Sequence, residues 1–176
     1  MAPERGEEMT AREQAFAELV RRNARHMFRV AHSLLRNAHD AEDAVQEAFL
    51  KLYRGDGWRR MENERAFLAR TVWRVALDRL PRPDETEEAS EFEIASPGAS
   101  PEEQAAGGDE RVLLRQMIEG LPEELRRPLV LSAIEEMTSG EVAAVMGIPE
   151  GTVRTRVMRA KAELRKRFEA VREARR

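Results

Sequence analysis

Residues Thr138–Lys166, TSGEVAAVMGIPEGTVRTRVMRAKAELRK, decide the fold. Apolar side chains recur at Val142, Val145, Met146, Ile148, Val153 and Val157. That spacing gives each of two short helices one apolar face, with a break at Met146-Gly147-Ile148-Pro149. Gly147 stands where a chain leaving a helix needs a left-handed residue. Pro149 then presets φ at the entry to the next helix. The second helix carries Arg154, Arg156, Arg159 and Lys161, with Thr152 and Thr155 near its start. The pattern reads as a helix-turn-helix with a basic recognition helix. A charged helical hairpin with a glycine turn is the competing reading; the threonines beside the arginines favour DNA.

Working outward, 176 residues hold one large or two small domains. A charged fraction of 36% with only 5% aromatic residues suits small helical bundles whose short helices are covered by charge. No run of 18 apolar residues offers a membrane span. The first residues, MAPERGEEMTAREQ, lack the apolar core of a secretory signal. The absence of cysteine excludes disulfides and thiolate metal sites, so the expected compartment is the cytoplasm.

The net charge of −3 hides a strong asymmetry. Residues 1–82 carry a net +3, residues 83–110 hold ten acids and no base, and residues 111–176 carry a net +4. Two mildly basic ends flank an acidic middle, so the whole-chain pI is a poor guide to nucleic-acid binding.

A helix is expected from near Thr10 to Asn37, bent near Asn23–Arg25, with Phe16, Leu19, Val20, Met27, Phe28, Val30, Leu34 and Leu35 on its apolar side. His26 and His32, six residues apart, do not share a helical face and do not read as a ligand pair. Asp40 is expected to cap a second helix, with Ala41, Ala44, Val45, Ala48, Phe49 and Leu52 buried. Its polar side, Asp40, Glu42, Asp43, Gln46 and Glu47, is compatible with an ordinary solvated face, since acids suit the first turns of a helix. A loop from Gly55 leads to a third helix over about Asn63–Leu80. Phe67, Leu68, Val72, Val75 and Leu80 can line its inner side, among Arg65, Arg70, Arg74, Arg79 and Trp73. Bases interleaved with an aromatic can hold a phosphate backbone and stack on bases. Spacing alone leaves Trp73 open between that role and the core.

Pro81-Arg82-Pro83 stops the helix. Residues 83–110 read as a flexible acidic linker, able to span about 90 Å when extended. A short helix then ends at Gly120-Leu121-Pro122. Pro122 is expected at the first position of the next helix, and Pro128 is expected to bend or displace its first turn.

Two segments together resemble one family, the extracytoplasmic-function group of bacterial sigma-70 factors. DAEDAVQEAFLKLY (residues 40–53) and FLARTVWRVALDRL (67–80) resemble its region 2, and residues 121–166 resemble its region 4. The resemblance implies an all-α chain of two small helical domains. Region 2 would cover 10–82, a flexible acidic linker 83–110, and region 4 111–170. It implies that Asp43, Gln46, Glu47, Leu50 and Lys51 dock on the β′ clamp coiled coil of core RNA polymerase, and that region 4 sits on the β flap. The loop from Gly55 to Glu62, with Trp58, Arg59 and Arg60, corresponds to one that captures a flipped base of the −10 element. Arg70, Trp73, Arg74 and Arg79 correspond to the helix over the −10 non-template strand. Arg154, Thr155, Met158 and Arg159 match positions that read the −35 element, with Arg156 or Thr152 on phosphates.

No catalysis, metal or cofactor is implied; promoter DNA and core polymerase are the partners, and anti-sigma factors are common ones in the group. Three departures bear on −10 specificity: Phe67 where the family usually has Trp, Trp73-Arg74 for the common Arg-Asn, and Pro81 after Leu80. Two other readings are distinguishable. A helix-turn-helix regulator would bind an operator without polymerase. A hydrolase built on His39, Asp40 and Glu42 would need metal, and no further ligand of matching spacing accompanies these residues.

Overall fold

The computed structural model describes residues 5–81 and 108–175 of the chain. All regular structure among them is helical. Contacts divide the chain into a unit Met1–Leu80 and a unit Pro81–Arg176.

In the first unit, α1 (Arg5–Leu35) packs against both α2 (Ala38–Arg54) and α3 (Glu64–Asp78), which also touch each other. A short 3₁₀ turn, Gly57–Arg59, lies between α2 and α3. Leu19, Met27, Val30 and Leu34 of α1, Val45, Phe49 and Leu52 of α2, and Leu68, Val72 and Trp73 of α3 are all buried. Burying each large apolar side chain contributes about 1.5–3 kcal/mol. Small residues allow the close approach: Ala41, Ala44 and Ala48 on α2 and Ala69 and Ala76 on α3 are buried.

Three local expectations are corrected here. First, α1 starts earlier, at Arg5, and is one uninterrupted helix to Leu35. The polar break at Asn23 is absorbed because that side chain is buried and satisfied: Nδ2 donates to Leu19 O at 3.0 Å and to Glu64 Oε1 at 2.6 Å. Second, α1 ends on Arg36 in the left-handed region (φ 56). Third, Asn37, not Asp40, is the N-cap of α2. Asn37 is extended, and its Oδ1 accepts from Asp40 N at 3.0 Å. Asp40 therefore sits in the first turn, where its charge meets the positive end of the helix dipole.

The second unit contains α4 (Asp109–Glu119), α5 (Glu123–Leu129), a π-helical segment (Val130–Ile134), α6 (Ser139–Met146) and α7 (Glu150–Ala174). The 25-residue α7 is its spine, packing on α4, α5 and α6. Leu121, Leu129 and Ala160 form a core with Ile118, Leu125, Val157 and Leu164 against it. Pro122 occupies the N-cap, one residue before its expected place. The helix runs through Pro128, and the disturbance follows it. Past Leu129 the register widens, with Glu135 N donating to Val130 O at 3.0 Å. A proline removes one i→i−4 bond and crowds the preceding turn, and a π segment is one way for a helix to absorb that. The linker read over 83–110 lies outside the described residues except for 108–110.

Candidate nucleic-acid interface

The turn between α6 and α7 is built by local chemistry. Thr138 Oγ1 accepts from Glu141 N at 3.2 Å, and Glu141 Oε2 accepts from Thr138 N at 2.7 Å, a reciprocal capping box that starts α6. Gly147 ends it with φ 68 and ψ 33, its N–H donating to Ala143 O at 2.9 Å. Pro149 (φ −60, ψ 143) then leads into α7.

Along α7, Val153 and Ala160 are buried and Val157 and Leu164 half-buried, one stripe facing the core. Thr155, Met158 and Arg159 are exposed on the outer side, Met158 at 64%. The Thr155 hydroxyl donates to Gly151 O at 3.0 Å, which fixes its rotamer. Arg154 Nη2 is 2.7 Å from Glu150 Oε1. Two clefts flank the helix. One is lined by Thr152, Thr155, Arg156 and Arg159 with Glu124 and Leu125; the other by Arg154, Met158, Lys161 and Arg165 with Ser132 and Ser139. An exposed helix edged by cations on both sides suits a groove walled by phosphates.

On the first unit, Gln46, Leu50 and Lys51 are exposed along α2, Leu50 at 56%, while Asp43 and Glu47 are half-buried. Glu47 is held by Lys51 (2.9 Å) and by Arg79, the C-cap of α3 (2.9 Å). Hydrogen bonds first from Lys51 and then from Arg79 lower its pKa. Thus α2 and the end of α3 are joined through residues read separately as a polymerase face and a DNA face. Arg59, Arg60, Arg70 and Arg74 are exposed. The two tryptophans are core residues: Trp73 is 3% exposed and Trp58 8%. The open question about Trp73 resolves to packing, and neither indole offers a free face for stacking in this structure.

Among the described residues no three His, Cys, Asp or Glu side chains gather to hold a metal. His39 Nε2 lies 3.6 Å from Asp43 Oδ2, an exposed contact within one helix. His26 and His32 are buried, His26 between the carbonyl and guanidinium of Arg65 and His32 stacked on Phe28. No helix among the described residues is long and apolar enough to cross a membrane.

Comparison with known proteins is consistent along the chain. A sequence model of sigma-70 region 2 matches residues 19–84, and one of sigma-70 region 4 matches residues 111–164. The ECF RNA polymerase sigma factor SigE of Mycolicibacterium smegmatis is 32% identical over 84% of this chain and 59% of its own length. SigW of Bacillus subtilis is 30% identical over 88% of this chain and 89% of its own. The chain belongs to the extracytoplasmic-function group of sigma-70 factors. The fold agrees with solved sigma structures. CnrH, solved with the cytosolic domain of CnrY, superposes with a TM-score of 0.57 at 24% identity, covering 90% of each chain. The sigma factor RpoE of Bartonella quintana, solved with the anti-sigma factor NepR, gives 0.60 at 18%, covering 89% of this chain and 98% of that one.

In this sigma factor, sequence reasoning counted Lys161 among the cations of the recognition helix but assigned neither it nor Arg165 a DNA contact. Their signal was available: Arg154, Met158, Lys161 and Arg165 recur at helical spacing and line one cleft. Ser132 and Ser139 in the same cleft come from other elements and had no such signal.

Proposed function

We propose that this sigma factor binds core RNA polymerase, directs it to −35 and −10 promoter elements, helps melt the −10 region and then dissociates, without catalysis of its own. The observation that carries this reading is the exposed, cation-edged outer face of α7 on a chain that also holds a region 2 bundle. Arg154, Thr155, Met158 and Arg159 read −35 base edges, and Thr152, Arg156, Lys161 and Arg165 take phosphates. Arginine suits both tasks, since its fork matches guanine edges and its charge neutralises phosphate.

The outer face of α2, with Asp43, Gln46, Glu47, Leu50 and Lys51, docks on the β′ clamp coiled coil, and region 4 sits on the β flap. The loop after α2, with Arg59 and Arg60 at its surface, takes a base flipped from the −10 strand, and Arg70 and Arg74 follow the backbone. The acidic stretch 83–110 tethers the two regions. An anti-sigma factor is a further partner, as NepR is for the Bartonella protein. The place of action is the cytoplasm.

In-vitro transcription with core enzyme, followed by start-site mapping, tests the reading. New start sites preceded by a shared pair of elements are expected. Sequence-specific binding by the isolated protein, with start sites unchanged, would instead make it a regulator that leaves the resident sigma in place.

A further inference from the structure

The loop that follows α2 is anchored from a part of α1 that precedes the region 2 match at residue 19. Arg12 and Phe16, four residues apart, share one face of α1. Arg12 Nη2 donates to Tyr53 O at 2.6 Å and lies 3.4 Å from Asp56 Oδ1. Its guanidinium also sits 4.7 Å from the Tyr53 ring centroid. Tyr53 O belongs to the last turn of α2, whose carbonyls have no partner within the helix. Asp56 is the second residue of the loop. One side chain thus ties off the helix and the start of the loop together.

Phe16 completes the anchor. Its ring meets Trp58 edge-on at 5.2 Å, Tyr53 at 5.0 Å and Phe49 at 6.1 Å. Trp58 is buried, yet its Nε1–H finds no acceptor among the described residues. Burying an indole N–H unpaired opposes this loop conformation, so other contacts must hold it. Arg59, exposed, lies over the Trp58 ring at 5.6 Å. Trp58 thus links the two: Phe16 of α1 packs on it, and it in turn carries Arg59.

We propose that Arg12 and Phe16 are positioning residues that hold the 55–60 loop ready for the flipped −10 base. This rests on the loop's assignment under the proposed function. A loop ordered in advance does not lose conformational freedom on binding, and the base receives that advantage.

The test uses holoenzyme assembled with the full chain on a promoter mapped from its own start sites. Each −10 non-template nucleotide is replaced in turn by an abasic site, and the rate of opening is followed by permanganate reactivity. In the wild type, one abasic position slows opening. Arg12→Ala is expected to slow opening on the intact promoter about tenfold, the effect of having to order one or two side chains on binding. At that one position the abasic substitution then costs Arg12→Ala little more, while affinity for core enzyme is unchanged. Arg12→Lys keeps the charge beside Asp56 but loses the fork, and should fall between; it is the variant read if Arg12→Ala does not fold.

An abasic penalty that both Arg12 variants retain in full would overturn the proposal. If no abasic position slows the wild type, it is the base-capture reading of the loop that fails, and this proposal falls with it.

Discussion

Arg79, the C-cap of α3, donates to Glu47 Oε2 of α2 from both Nε (3.2 Å) and Nη2 (2.9 Å), and its Nη1 stands 3.9 Å from Asp43 Oδ2. A residue read as a DNA contact is thus engaged with two residues read as a polymerase contact. Arg70 and Arg74 are exposed on the same helix. An arginine on a phosphate adds about one to the salt dependence of binding. Holoenzyme binding to a −10 single strand, titrated against salt, should lose about 0.7 of a unit of slope for Arg70→Ala and for Arg74→Ala. Arg79→Ala should lose less. An equal loss would mean that the guanidinium leaves Glu47 for DNA.

Charge reversal of Asp43 and Glu47 together should weaken core binding by more than tenfold while helical circular dichroism is retained. Both side chains are partly exposed, so the lost pairs and the new repulsion from Arg79 and Lys51 are screened by solvent and cost the fold little. Full core affinity in the double variant would refute docking through this face.

Glu64 binds Arg22 in a bidentate pair (2.8 and 2.7 Å) and accepts from the buried Asn23. The bond from Arg22 is the main cause that lowers its pKa from the ordinary 4.5, with Asn23 adding to it. A carboxylate whose folded pKa lies below its unfolded one contributes stability that is complete above the unfolded value and is lost as pH falls through the folded one. Glu64→Gln should therefore be less stable than wild type at neutral pH, with a gap that closes below 4.5. Urea unfolding at several pH values measures this; a gap independent of pH would exclude an ionised pair.

Arg154→Ala should cost about 1–3 kcal/mol on the correct −35 sequence and relax its specificity. An equal loss on every sequence would make Arg154 a phosphate contact. Because Glu150 holds Arg154 at 2.7 Å, Glu150→Ala should tighten −35 binding, provided that Arg154 turns to the base. Fluorescence anisotropy of a −35 duplex with holoenzyme reads both.

Two glycines four residues apart call for opposite outcomes. Gly147 has φ 68, so Gly147→Ala should destabilise the second unit by about 1–2 kcal/mol. Gly151 lies in the first turn of α7 with nothing within 4 Å of a Cβ placed on it. Gly151→Ala should stabilise by about 0.4–1 kcal/mol. Thermal unfolding of the two variants decides, and shifts of the same sign would contradict the local geometry.

How much of this was legible depends on how local each signal is. The α6–α7 turn was readable because Gly147 and Pro149 act on their own backbone. The start of α2 was misplaced because Asn37 and Asp40 are both good caps, and only the left-handed Arg36 before Asn37 decides between them. Trp73 was undecidable from spacing because its burial comes from α1 and α2 packing on α3. Asn23 read as a break because its second partner, Glu64, is far along the chain. The buried Arg126 and Glu135 had no signal at all, since charged residues are ordinarily solvated. The cation stripe continues past Lys161 to Arg165 at the same helical spacing, but the positions that the motif matches lie in the first turns of α7.

Under the proposed function, recognition and core packing share one rod, α7, about 37 Å long. Each residue added to a helix turns everything beyond it by about 100°. A single residue inserted between Pro149 and Val153 would force a choice. Either Val153, Val157, Ala160 and Leu164 keep their seats and the turn is strained, or the reading face swings away from the groove. Point changes at Thr155, Met158 and Arg159 meet no such conflict. If α7 reads the promoter as proposed, its preference is free to drift by substitution and is locked against insertion.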